Sequence, residues 1–315
     1  MNKLSLYGSL QKGFEVKQNE REKKEKLNPG GDWRGGNSGC ITEEGIIIGY
    51  NPQDVVLRHL GIQTATTLDD DLIFEAGFTN EDHFVNLLNL AKVSTKCEEE
   101  IPVEWALPNG QTITGRPDIV VGSKTKSDFI PEYGVEMKLI SSNGKMMQHS
   151  HFGQANPTAT HVCQAAHYSW RLGVPWVLAY VSRAHYTSFY WKADKFKFDH
   201  RSMRISEKVS KSTGAKTKSV VSVGPFISLY DMTWEDDTLL IDEKPTIITK
   251  SGIERFFQYC SDCVRDKVIP EAGGDVDIYG KHVDKNPNVL YNKWSQASTE
   301  SFDDWVEDCK EISQH

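Results

Sequence analysis

Residues 115–140 read GRPDIVVGSKTKSDFIPEYGVEMKLI, and the fold is decided there. Ile119-Val120-Val121 and the run from Val135 have the β-branched, alternating character of strands, with the polar tip SKTKSDFIPEY between them. Upstream, IPVEWALP and QTITGRPDIVVG flank Asn109-Gly110, a pair that favours tight reversal, so a hairpin is expected over 101–122. Side chains alternate along a strand, so Glu136 and Lys138 share a face, and pairing of the neighbouring strands brings Asp118 beside them. Two acids and an ammonium then converge. Crowding like charges away from water is costly unless a cation compensates, and Mg²⁺ or Mn²⁺ suits a carboxylate pair. Such an ion polarises a phosphoryl oxygen and acidifies a bound water, which a nearby lysine can orient or deprotonate. The outline is that of a phosphodiester hydrolase. The plainer alternative makes Asp118 a turn residue and Glu136 and Lys138 an exposed cross-strand face.

Helical spacing surrounds this β region. NPQDVVLRHLGI (51–62) has Asn51 to cap, Pro52 for the first turn, Val55, Val56 and Leu60 on one face, and Gly61 to stop it. LIFEAGFTNEDHFVNLLNLAKV (72–93) repeats Ile73, Phe74, Phe84, Leu87, Leu88 and Ala91 at helical intervals. THVCQAAHYSWRLG (160–173) is a third helix, ending at Gly173, followed by strands in PWVLAYVSR and TSFYWKA. The order over about 70–192 is therefore helix, three strands, helix, strands. Residues 201–219, with six Lys/Arg and one Glu, read as a mobile basic loop, and SGIERFFQYCSDCVRDKV as a C-terminal helix.

Three motifs in this order resemble the PD-(D/E)XK nuclease superfamily. They are Pro117-Asp118 with Glu136-Met137-Lys138, then Gln164 and Tyr168 as the Gln-x-x-x-Tyr motif of the RecB-like branch, and upstream Gly77-Phe78-Thr79-Asn80-Glu81. The last is similar to the helix motif of RecB-like and lambda-exonuclease-like enzymes. The resemblance implies a restriction-endonuclease-like α/β core, a mixed central sheet flanked by helices, with a helical N-terminal segment and a small C-terminal appendage. It implies metal ligation by Asp118, Glu136, Glu81 and the Met137 backbone carbonyl, and a catalytic role for Lys138. Gln164 and Tyr168 would position DNA or the lysine. The implied activity is Mg²⁺- or Mn²⁺-dependent DNA hydrolysis, exonucleolytic, in recombination, repair or phage DNA processing. DNA is the implied partner, with a recombinase, single-strand-binding protein or helicase alongside. The rivals are a structure- or site-specific endonuclease and a non-catalytic nucleic-acid-binding protein that keeps the fold. No GxxxxGK[ST] motif encodes a motor.

The resemblance also departs from the family. NPQDVVLRHLG is similar to the segment that supplies the first cluster cysteine of iron–sulfur members, but that position is Asn51, a poor substitute for a thiolate. Cys260 and Cys263 form one CxxC pair, Cys309 is far away, and Cys40 is the other candidate, so an iron–sulfur cluster is not expected. His149 and His151 follow the catalytic strand as a solvated pair or as metal or DNA contacts. Lys145 and the basic stretch 201–219 are candidates for phosphate contacts. Trp170, Trp176 and Trp191 read as packing or as a stacking surface.

The 315 residues carry 36 Lys/Arg against 44 Asp/Glu, a net charge of -8 that disfavours wholesale electrostatic coating of nucleic acid but allows a local basic groove. No apolar run suits a membrane span or a secretory leader, so an intracellular, cytoplasmic location is expected. Residues 1–36 read as a charged, glycine-rich extension, 37–250 as the nuclease domain and 251–315 as the appendage.

Overall fold

The computed structural model describes residues 12–16, 32–60, 68–97, 100–125, 128–140, 157–182, 189–190, 203–209, 216–222, 226–268, 270–271, 273, 276–281 and 304. It is a mixed α/β architecture built on a large mixed sheet with helices on both faces. The expected features on His149, His151, Lys145, Trp191, Cys309 and Gly61 lie outside the described residues.

The large sheet has seven strands. They are β4 (Thr95–Lys96), β7 (Ile119–Lys124), β8 (Phe129–Ile140), β9 (Trp176–Ser182), β13 (Phe226–Glu235), β14 (Thr238–Ile241) and β15 (Lys244–Thr249). In space the order is β15-β14-β13-β9-β8-β7-β4. Strands β8 and β9 run parallel, Glu136 opposite Leu178, and the other neighbours run antiparallel. Parallel neighbours need a crossover, and the helix Ala159–Leu172 supplies it. Gly173 ends that helix at φ 68°, a left-handed cap.

Helix α1 is Pro52–His59, capped by the Asn51 side chain, which accepts from Gln53 N at 3.2 Å. Helix α2 is Leu68–Leu90, α3 is Ala159–Leu172 and α4 is Lys250–Asp266. Helix α2 lays Phe84, Val85 and Leu88 on the sheet face formed by Ile119, Val121, Val135 and Ala179. The opposite face carries the larger core, in which α1, α3 and α4 meet around Val56, Val162, Tyr168, Trp176, Phe256 and Phe257.

Four expectations need correction. The run 111–122 is two strands, because Pro117 cannot donate to a ladder. Strand β6 (Thr112–Gly115) pairs with β5 (Val103–Ala106) in a small sheet, and β7 enters the large one. The basic stretch 201–219 is not a loop throughout: β11 (Met203–Val209) and β12 (Lys216–Ser222) pair antiparallel, and β12 also pairs with β10 (Phe189–Tyr190). The segment 1–36 is not wholly an extension, since β1 (Trp33–Arg34) pairs parallel with β6 and Trp33 is buried. Nor is α4 part of an appendage. Ile253, Phe256, Phe257 and Cys260 are fully buried, and Arg255 Nε donates to Ile41 O in β2 (Gly39–Ile41), which pairs with β3 (Ile47–Gly49). Among the described residues, no helix is long and apolar enough to cross a membrane.

Candidate active site

Asp118 stands at the step between the two sheets, one residue before β7. Ile119 pairs with Val135, which sets Asp118 beside Glu136 on the neighbouring strand. The Met137 N–H donates to Asp118 Oδ2 at 3.0 Å and fixes that carboxyl. Lys138 Nζ donates to Glu136 Oε1 at 2.5 Å. Glu136 is 0% exposed, whereas the Lys138 side chain is 23% exposed, so the cluster reaches solvent at its lysine end. Glu136 Oε2 is buried with no donor group directed at it, and the Glu136 and Asp118 carboxyls meet in a side-chain hydrogen bond that requires a proton on one of them. Two acids facing each other away from water are costly unless a proton or a cation lies between them.

The electrostatics follow from this crowding. Burial is the main force pushing the Glu136 carboxyl up to about 8, and the charge of Asp118 adds to it, while Lys138 pulls the other way. Burial also raises Asp118, against the opposing pull of Lys138 and of the Met137 amide. Burial alone would lower Lys138, but Glu136 and Asp118 outweigh it and hold the amine protonated. The metal-free site therefore retains protons that a cation would displace.

Helix α3 backs this pair. Gln164 hydrogen-bonds Tyr168, whose phenol is raised first by burial and then by the charges of Glu136 and Asp118. Tyr168 is only 2% exposed, so its ring supports the acids from behind and offers no stacking surface to a nucleic-acid strand. The absence of a side chain at Gly115 is what lets Tyr168 approach: a Cβ there would lie 2.4 Å from the ring Cε1.

The Met137 amide N–H, not its carbonyl, is the group that meets Asp118. Glu81 lies on α2. That helix packs on the sheet face opposite Glu136 and Lys138, and among the described residues no three His, Cys, Asp or Glu side chains gather as a metal cage. Cys40, Cys260 and Cys263 likewise form no such group; burial pushes the Cys40 thiol up to about 11 and raises the other two.

Sequence reasoning missed His167. It is fully buried and accepts the Trp105 indole N–H on Nε2 at 2.8 Å, which places its own proton on Nδ1. Nδ1 meets Ser38 Oγ at 2.8 Å and Gly35 O at 3.1 Å, and burial drives the ring pKa down to about 4. The neutral imidazole thus ties α3 to the 3-10 turn Gly35–Asn37 that follows β1. The available signal was a histidine adjacent to Tyr168 on an otherwise apolar helix face.

Comparison with protein-family models, with curated proteins and with solved structures returns no match to this chain.

Proposed function

We propose that this chain is a divalent-metal-dependent deoxyribonuclease with a restriction-endonuclease-like core. The observation that carries the reading is the fully buried Glu136, crowded against the Asp118 carboxyl and ion-paired with Lys138 on adjoining strands. Two protein carboxylates suit Mg²⁺ or Mn²⁺, ions that keep several waters and are completed by substrate phosphate oxygens. When bound, such an ion supplies Lewis-acid polarisation of the phosphoryl group and a water of lowered pKa.

The chain's own groups have separable tasks. Asp118 and Glu136 provide the oxygen donors, and the Met137 amide keeps Asp118 turned inward. Lys138 orients the attacking water or the phosphate as an ammonium. With the acids' charge balanced, burial becomes the dominant influence on Lys138 and brings the amine closer to accepting a proton. Gln164 and Tyr168 brace the acids. Exonucleolytic action, and a place in recombination, repair or phage DNA processing, rest on the motif resemblance.

The test is incubation of the purified protein with end-labelled linear DNA and closed circular DNA, with and without Mg²⁺ or Mn²⁺, beside Asp118→Ala and Lys138→Ala. Metal-dependent loss of linear DNA alone supports the exonuclease, and nicking of circles supports an endonuclease. Each variant is expected to lower the rate by about 10²–10⁴-fold. Absence of cleavage of any DNA or RNA would leave a non-catalytic nucleic-acid-binding protein.

A further inference from the structure

Helix α3 presents a third polar residue on the face that carries Gln164 and Tyr168. His161 precedes them by three and seven positions, so the three side chains follow one another along the helix surface. His161 Nδ1 lies 3.1 Å from the Tyr180 hydroxyl. Tyr180 is fully buried on β9 and is the register partner of Lys138 on β8, so the two stand side by side on the same face of the sheet. The same hydroxyl receives the Thr158 N–H at 3.2 Å and a side-chain hydrogen bond from Thr158. The first turn of α3 is therefore pinned at two residues, Thr158 and His161, to the neighbour of Lys138.

The proton arrangement follows from donor and acceptor capacity. A Tyr180 oxygen that accepts from Thr158 can give its own O–H to His161 Nδ1, which lies within hydrogen-bond distance. A neutral His161 then carries its proton on Nε2.

We infer that His161 is a positioning residue for the Lys138 site, acting through Tyr180 to set helix α3, and with it Gln164 and Tyr168, against Glu136 and Lys138. The inference rests on the nuclease reading for its catalytic consequence, but its geometry stands apart from it. A helix end pinned at the level of Lys138 fixes the spacing between the bracing pair and the acids, and displacement of catalytic groups by about 1 Å can cost around 10²-fold in rate.

The experiment has two arms. In the first, ¹⁵N-labelled wild-type protein is examined by two-bond ¹H–¹⁵N NMR, with the His161 ring assigned by comparison with His161→Asn. The expected result is a neutral ring protonated on Nε2 with an accepting Nδ1, and a changed Nδ1 shift in Tyr180→Phe. A proton on Nδ1, or no response to Tyr180→Phe, would overturn the inference whether or not the protein cleaves DNA.

The second arm measures Mn²⁺-dependent cleavage of an end-labelled oligonucleotide. His161→Ala and Tyr180→Phe are each expected to lower kcat by about tenfold to a hundredfold with KM within about twofold. Their combination should be no worse than the stronger single variant, because both break one linkage. His161→Asn, whose side-chain oxygen can stand where Nδ1 accepts, should recover most of the rate, and His161→Gln should not. Unchanged kcat in His161→Ala, or additive losses in the double variant, would refute the positioning role. Wild-type protein that cleaves nothing, yet gives the expected NMR pattern, would sink the nuclease reading and leave the His161–Tyr180 linkage in place.

Discussion

A carboxyl group with no exposed surface, a second acid alongside and an amine at 2.5 Å retains its proton up to about pH 8. Glu136 titrates near 4.5 in an unfolded chain, so between about 4.5 and 8 the folded chain binds more protons than the unfolded one. Whereas His59 and His167, each held down at about 4 by burial, act in the opposite sense below about 6.5, the Glu136 contribution to folding stability of the metal-free protein falls as pH rises through that window. Asp118 shifts in the same direction, and Lys138, raised above 10.5, changes nothing until pH exceeds that value. Thermal melts in chelator are expected to give a lower Tm at about pH 8 than at about pH 6.5, a stability loss of about 2 kcal/mol, and Glu136→Gln should flatten it. Mn²⁺ affinity measured by calorimetry should rise across the same interval, with proton release on binding. A pH dependence between about 6.5 and 8 that is the same in the wild-type protein and in Glu136→Gln would contradict the buried acid pair.

At the scale of elements, close approach of helix and sheet depends on missing side chains. A Cβ at Gly115 would lie 2.4 Å from the Tyr168 ring, and one at Gly134 would lie 2.1 Å from the Trp176 ring. Gly115→Ala is expected to destabilise the protein by about 1–3 kcal/mol and to shift Tyr168 relative to Glu136, so cleavage should fall further than the Tm loss alone explains. Chemical denaturation alongside kinetics would show whether the two effects part. The helices and the Asn109-Gly110 hairpin were readable because their stop and turn signals are local: Gly173 adopts φ 68° and Gly110 φ 86°. The β13–β14–β15 meander left no comparable mark. Its turns use Asp236, Asp242 and Glu243 at positive φ, where glycine or asparagine is the usual signal. Strands β11 and β12 were hidden for another reason, since a lysine-rich run can pair once a partner strand is present, and composition does not reveal the partner.

At the scale of the molecule, α4 is a wall of the main core, although its sequence distance from the acids suggests an appendage. Phe256 and Phe257 are fully buried and pack edge-on against each other, and Phe257 also meets Trp105 and His167. Phe256→Ala is expected to cost about 3–5 kcal/mol in denaturant unfolding, and a chain ending before residue 250 should not fold cooperatively. The acid pair was legible because strand alternation places it, while the allocation of 1–36 and 251–315 was not, because burial is set by contacts across more than 200 residues, as between Arg255 and Ile41. The membership of β8 in the interior of the seven-stranded sheet has a dynamic consequence. Flanked by β7 and β9, its backbone amides open to solvent only when much of the sheet comes apart, so deuterium uptake at Met137 and Lys138 should be among the slowest in the chain. Thermal breathing would then alter how a ligand reaches the two acids long before it alters how far apart they sit.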